Sequence, residues 1–229
     1  MNASPTQSRS TRLSLLALAA LALVVLVPAG ALSATSAKKP PPPTKTTPAS
    51  ATLSLAASRV QVVFGTATVL SGTLSTKQAG ESVAILAQPY GGAKLVALAT
   101  TTTATGGVWS YTTKPTIGTS YQAQWKNTTT PLLAVGVRPL GAFHVLTANR
   151  FSTKQLAAHS FAGKFVQLQR RSALGQWVTL KRMQLNTNSA STFRPTLPSG
   201  NSTLRIAMSV NQAGPGYLAG ISRTIVYHR

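Results

Sequence analysis

From residue 51 onward apolar and polar positions alternate with a period of two, and glycine, proline or asparagine interrupts the alternation every few residues. No stretch there keeps the 3.6-residue period of an amphipathic helix. The pattern predicts strands over 52–56, 60–64, 68–74, 82–88, 95–102, 108–113, 120–126 and 132–137. A second set follows over 143–147, 152–159, 165–169, 177–182, 191–194, 202–209 and 222–228. Seven or eight short strands per set, separated by turns, describe an all-β sandwich. Val83, Ile85 and Ala87 share one face of their strand, as do Trp109 and Tyr111, and Tyr121, Ala123 and Trp125. Rings at alternate strand positions are expected to fill the space between sheets rather than to form a sugar-stacking platform.

The two sets are copies of one pattern. Gly80-Glu81-Ser82-Val83-Ala84-Ile85-Leu86 is echoed 83 positions later by Gly163-Lys164-Phe165-Val166-Gln167-Leu168-Gln169. Leu95-Val96-Ala97-Leu98 is answered by Trp177-Val178-Thr179-Leu180 at a shift of 82, which implies one residue fewer in the intervening turn. Tyr121 to Trp125 then meets Leu204 to Met208 at 83 again. Three matched segments in order indicate tandem modules, assigned to residues 51–138 and 139–229. Gly136-Val137-Arg138-Pro139-Leu140 joins them, a connection short enough to restrict motion, with Pro139 breaking strand continuity. The last loop, Asn211 to Gly220, is rich in breakers and longer than its counterpart, so it is the one elaborated loop.

Ahead of the modules, residues 1–37 read as an export signal, with Arg9 and Arg12 before an apolar run from Leu13 to Val27, a breaker at Pro28 and small residues after it. Cleavage fits after Ala31 or after Ala37; uncleaved, residues 13–32 are just long enough to anchor the chain in a membrane. Either way the modules are expected outside the cytoplasmic membrane, at the cell surface or beyond it. Residues 38–50, rich in proline, threonine and lysine, cannot form helix or central strand and read as a linker. In polyproline II geometry a dozen such residues reach about 40 Å.

Composition removes chemistry from this frame. The net charge is +21, from 22 lysines and arginines against one acid, Glu81. With no Asp and a single Glu, the chain lacks the acids for a glycosidase pair, an Asp-oriented histidine of a hydrolytic triad, or a calcium or magnesium cage. Cysteine is absent, so disulfides, thiolate metal sites and cysteine nucleophiles are excluded. His144, His159 and His228 lack metal-ligand spacing. Asn127-Thr128-Thr129 and Asn201-Ser202-Thr203 match the glycosylation triplet but read as ordinary turn residues. No enzyme, cofactor or metal is expected.

Residues Lys77 to Trp125, Gly163 to Arg182 and Gly216 to Thr224 resemble the bacterial Ig-like modules of secreted and surface proteins from high-GC Gram-positive bacteria. The resemblance rests on the hairpin Ala87-Gln88-Pro89-Tyr90-Gly91-Gly92, the strand Trp109-Ser110-Tyr111 and the strand from Tyr121 to Trp125. It implies two Ig-like or fibronectin-III-like β-sandwiches and an exported spacer or interaction protein. Related modules often place Asp in the turn before the aromatic strand. This chain has Thr105-Gly106-Gly107 and Asn186-Thr187-Asn188 there, which argues against a calcium-linked turn.

Charge separates the copies. Residues 51–137 carry five cations and Glu81, whereas from Arg138 to Arg229 there are twelve cations and no acid. The second module is therefore the candidate for attracting a polyanion, with Lys164, Arg170, Arg171, Lys181, Arg182 and Arg205 as the candidate contacts. Teichoic acid, anionic lipid headgroups and nucleic acid all carry the required charge, and no base-reading motif selects among them. Envelope polymers or surface proteins are the expected partners of a spacer. A basicity that serves only solubility and wall retention is the alternative.

Overall fold

The computed structural model describes residues 50–229; the expected signal or anchor and all of the linker but Ser50 lie outside the described residues. The described chain is all-β and forms two tandem sandwiches of the Ig-like kind. In the first, β1 (Ala56–Ala57), β3 (Thr68–Thr73) and β6 (Val108–Thr113) make one sheet. The other runs in the order β2 (Gln61–Val63), β9 (Leu133–Arg138), β7 (Thr119–Trp125), β4 (Ser82–Pro89), β5 (Val96–Thr102), with β8 (Thr128–Thr129) added to β7. Only the β2 and β9 pair is parallel.

The second sandwich repeats this pairing. β10 (Leu140–Thr147), β11 (Arg150–Leu156) and β14 (Ala190–Phe193) form one sheet. β13 (Trp177–Gln184), β12 (Phe165–Arg171), β15 (Asn201–Met208) and β16 (Gly220–Ile221) form the other, with β17 (Ile225–His228) also on β15. The β5–β4–β7 core of the first module corresponds to β13–β12–β15 in the second. Even a bulge recurs, skipping Leu98 in β5 and Leu180 in β13. The turn between β4 and β5 has six residues and that between β12 and β13 has five, which accounts for the drop in offset from 83 to 82.

Alternation in the sequence becomes burial in the fold. Val83, Ile85, Ala87, Tyr121, Ala123 and Trp125 line the inner face of the first module, and Trp109 joins them from the opposite sheet. Val166, Leu168, Leu204, Ile206 and Met208 do the same in the second. Each valine, leucine, isoleucine or methionine among these withdrawn from water contributes about 1.5–3 kcal/mol. The second core is aromatic: Phe143, Phe151 and Phe193 stack with centroids 5.9–6.4 Å apart, and Tyr227 meets Phe151 edge-on at 4.9 Å. Without disulfides, this packing carries the stability.

Beyond shifted strand ends and the two-residue β8 in an expected turn, the elements depart from expectation in four places. The first strand shrinks to β1, and Leu53 makes only an isolated bridge to Leu74. β10 begins at Leu140 rather than 143, so Pro139 is a single residue between two strands and not the end of a longer break. Pro139 lacks the N–H a ladder needs, yet one residue suffices to change sheets. The last expected strand, 222–228, begins only at β17, while β16 pairs ahead of it at the end of the expected loop; between the two the Ser222 hydroxyl accepts from Ile206 N–H at 2.9 Å and donates to the Arg223 carbonyl at 2.8 Å. Val210–Ala213 forms α1, a single turn too short to leave a period in the sequence.

Candidate functional site

Register decides where the candidate cations go, because residues directly opposite one another in a sheet share a face. Gln169 is opposite Arg205, Arg171 opposite Trp177, and Gln167 opposite Arg182. These residues, with Phe165 and Thr179, form the outer face of the β13–β12–β15 sheet, since Val166, Leu168, Leu204 and Ile206 occupy the inner one.

On that outer face the guanidinium groups are held in place. Arg182 lies over the Phe165 ring at 3.9 Å and Arg205 over the Trp177 ring at 4.0 Å. Arg205 Nε donates to Gln169 Oε1 at 2.8 Å, and Thr179 Oγ1 donates to Gln167 Oε1 at 3.2 Å. Desolvation where Arg205 packs on the sheet lowers its pKa from the ordinary arginine value. Arg171 Nε donates to the Gly175 carbonyl at 3.3 Å, which fixes it beside the β12–β13 turn.

The remaining candidates do not join this face. Arg170 sits opposite Leu204, on the inner side, and its Nε is buried without a hydrogen-bond partner. Lys181 is opposite Leu168, and its Nζ reaches the Arg194 carbonyl at 3.3 Å. Lys164 lies in the turn before β12, exposed, with its N–H donating to the Phe161 carbonyl at 3.0 Å. Three of the six candidates, Arg171, Arg182 and Arg205, are thus brought together by the register. The aromatic partners Phe165 and Trp177 were legible as strand residues but not as supports, because stacking across strands needs the register.

The elaborated loop has a different part. Leu218 N–H donates to the Val137 carbonyl at 2.8 Å, Gly118 N–H to the Gly216 carbonyl at 2.8 Å, and Arg138 Nη1 to the Ala219 carbonyl at 2.9 Å. Tyr217 pairs with Val137 in a parallel bridge. Its hydroxyl donates to the Thr116 carbonyl at 2.9 Å and accepts from Ala158 N–H at 3.2 Å, linking both modules through one oxygen. His159 packs edge-on against Tyr217 at 4.9 Å and against Phe161 at 4.6 Å, so this histidine is a packing residue. The segment extends the first module's sheet with backbone from the second. A cleft of about 460 Å³ borders this junction, lined by Pro89, Tyr90, Ser120, Val135 and Leu218 and carrying no charged side chain.

The other sequence candidates are accounted for by the fold. Glu81 Oε2 accepts from Trp125 Nε1 at 2.7 Å and lies 3.6 Å from Lys126 Nζ. Asn186 Oδ1 accepts from the N–H groups of Asn188 and Ala190, so that turn closes on its own side chain. Among the described residues no three His, Cys, Asp or Glu side chains gather as a metal site, and no helix is long and apolar enough to cross a membrane.

No family model and no curated protein matches the chain. Among solved structures it is similar to a tetra-tandem repeat in the extending region of a large adhesion protein, at 15% identity and a TM-score of 0.29. That match covers 77% of this chain and 49% of the other, so this chain spans about half of that structure's length. It is similar to the chicken interferon gamma receptor alpha chain at 8% identity and a TM-score of 0.40, over 78% of this chain and 97% of that one. A third is the native conformation of the E. coli alpha-2-macroglobulin, at 13% identity and a TM-score of 0.32, covering 77% of this chain and 14% of that one. Likeness at this level carries no argument about activity or partner.

Proposed function

We propose that the chain is a non-enzymatic, exported spacer or interaction protein of the cell envelope, in which two Ig-like modules are held as one body. On the sequence resemblance, its setting is the envelope of a high-GC Gram-positive bacterium. The observation that supports the spacer role is the junction. Four hydrogen bonds from residues 216–219 to Thr116, Gly118, Val137 and Arg138 resist the swivelling that a one-residue connection at Pro139 would otherwise allow. Spin labels at exposed Ser75 and Ala173 give one narrow distance distribution if the modules move together. A broad distribution removes the spacer reading. Protease accessibility of the modules on intact cells tests the surface placement.

A second reading rests on a separate observation. From Arg138 onward there is no acid, and the outer face of β13–β12–β15 presents Arg171, Arg182 and Arg205 with their heads fixed. Such a face attracts phosphate-rich polymers such as teichoic acid, anionic lipid headgroups or nucleic acid by counterion release. Retention on immobilised polyphosphate falls as salt rises if this reading holds; retention independent of salt overturns it.

A further inference from the structure

The two modules carry the same edge strand with opposite protection. β5 ends its sheet and pairs only with β4, as β13 ends its own and pairs only with β12. Both are bulged at the same leucine, Leu98 or Leu180. Charge is what differs. At the 82-residue offset Ala99 and Thr100 correspond to Lys181 and Arg182, side chains of the kind that keep an open edge from pairing with another chain. β5 has no such guard, and no charged residue occurs from Leu95 to Thr113, in a chain of net charge +21.

The flank around β5 is open as well as uncharged. Val96 and Leu98 are 49% and 42% exposed, and Thr100 and Thr102 are exposed too. β6, the edge of the facing sheet, lies beside β5, with Thr101 Oγ1 donating to the Ser110 carbonyl at 3.1 Å. A cleft of about 250 Å³ opens between these two edges. Trp109 lines it, and the buried Nε1–H of Trp109 has no hydrogen-bond partner.

We propose that β5 is a pairing edge through which two copies of this chain join antiparallel, strand to strand, into one continuous sheet. The occupant is a second copy because the seam is self-complementary. Past the bulge, 99–102 continue in regular register with β4 and leave their outer backbone groups free to pair. A two-fold axis between Thr100 and Thr101 sets 99–102 against the same residues of the other copy, and none of β5 is charged, so no cation faces another along the seam. An acidic peptide would find no cation on this strand to prefer, whereas an uncharged strand meets it without desolvating charge.

Salt gives the proposal its own sign. Copies of net charge +21 repel at a distance, so screening strengthens the pairing, the reverse of what salt does to polyanion attraction. Sedimentation equilibrium of the full chain at low and high salt, free of nucleic acid, is expected to show a dimer that grows with salt. The double variant Ala99→Lys and Thr100→Arg, which copies the second module's own guard into β5, is expected to weaken dimerisation about tenfold or more. Leu98→Lys, at an exposed bulge position, is expected to do the same should the double variant fail to fold by circular dichroism. A monomer at every salt concentration overturns the proposal. So does a dimer that either variant leaves unchanged in a folded chain, which would place the contact elsewhere, or a dimer that dissolves as salt rises.

Discussion

Trp125 Nε1 donates to Glu81 Oε2 at 2.7 Å across 44 residues of sequence, so the only acid in the chain is tied to the indole at the end of β7. Lys126 completes the cluster, 3.6 Å from the carboxylate and 4.2 Å from the Trp125 ring centroid. Glu81 is a structural residue here, and its loss has a definite pattern. Glu81→Ala leaves a nearly buried indole donor unmatched and is expected to destabilise by about 1–2 kcal/mol in urea unfolding. Glu81→Gln keeps an acceptor and is expected to cost less than about 1 kcal/mol. Equal losses would mean that the Lys126 ion pair, not the indole bond, is the part that matters.

The junction predicts a local effect before a global one. Tyr217→Phe removes the oxygen shared by the Thr116 carbonyl and Ala158 N–H, at an expected cost of about 1–2 kcal/mol. Hydrogen exchange at Ala158 and Gly118 is expected to speed up while amides inside β4 and β12 change little. Uniform acceleration across both modules would contradict this.

Gly216 makes the same junction depend on a missing side chain. It sits at φ +79°, and a Cβ there would come within 2.8 Å of both Ile117 and the Tyr90 ring. Gly216→Ala combines a left-handed backbone cost of about 1–2 kcal/mol with that clash. The expected readout is a lowered melting temperature together with a broadened inter-label distance between Ser75 and Ala173. A narrow distribution in a destabilised variant would show that other contacts hold the modules.

Two buried tyrosines link stability to alkaline pH. Desolvation raises the pKa of Tyr121 and of Tyr217 above the ordinary 10.0. The unfolded chain therefore releases these protons first. Their contribution to stability is fully present below pH 10 and is lost as pH climbs from there through the raised folded-state values. Urea midpoints are expected to be unaffected by these residues between pH 7 and 9 and to fall above about pH 10. In Tyr217→Phe that fall should be smaller; an unchanged fall would assign it to other groups.

The two faces of the β13–β12–β15 sheet separate the polyanion reading from general basicity. Replacing Arg171, Arg182 and Arg205 by glutamine is expected to lower retention on polyphosphate and reduce its salt slope by up to about three charges. Arg170 and Lys181, which lie off that face, remove two charges rather than three when changed likewise. If both sets reduce retention in proportion to charge, only the total field acts and no face is privileged.

The period-two alternation made the β class, the repeat and the inner-face residues legible. Val83, Ile85, Trp109, Tyr121, Val166 and Leu168 are buried where the pattern puts them, since on a strand the identity of every second residue states which side is dry. Even the shorter turn before β13 could be counted from the offset. Local chemistry of fewer than five residues was not legible. α1 is one turn, and the break at Ser222 depends on a hydroxyl meeting Ile206 N–H from another strand.

Function-bearing features divide along the same line. The sequence by itself determined that it holds no thiol and no pair of carboxylates, that the second copy is the basic one, and that the last loop is elaborated, because those are matters of composition and length. Only the tertiary structure decided which cations share a face, since cross-strand register, not spacing along the chain, sets Arg205 beside Gln169 and turns Arg170 inward. It also decided that the loop from Asn211 to Gly220 ties the modules together. Its donors and acceptors meet groups up to about a hundred residues away, as Tyr217 meets Thr116, and no local pattern encodes a partner at that distance.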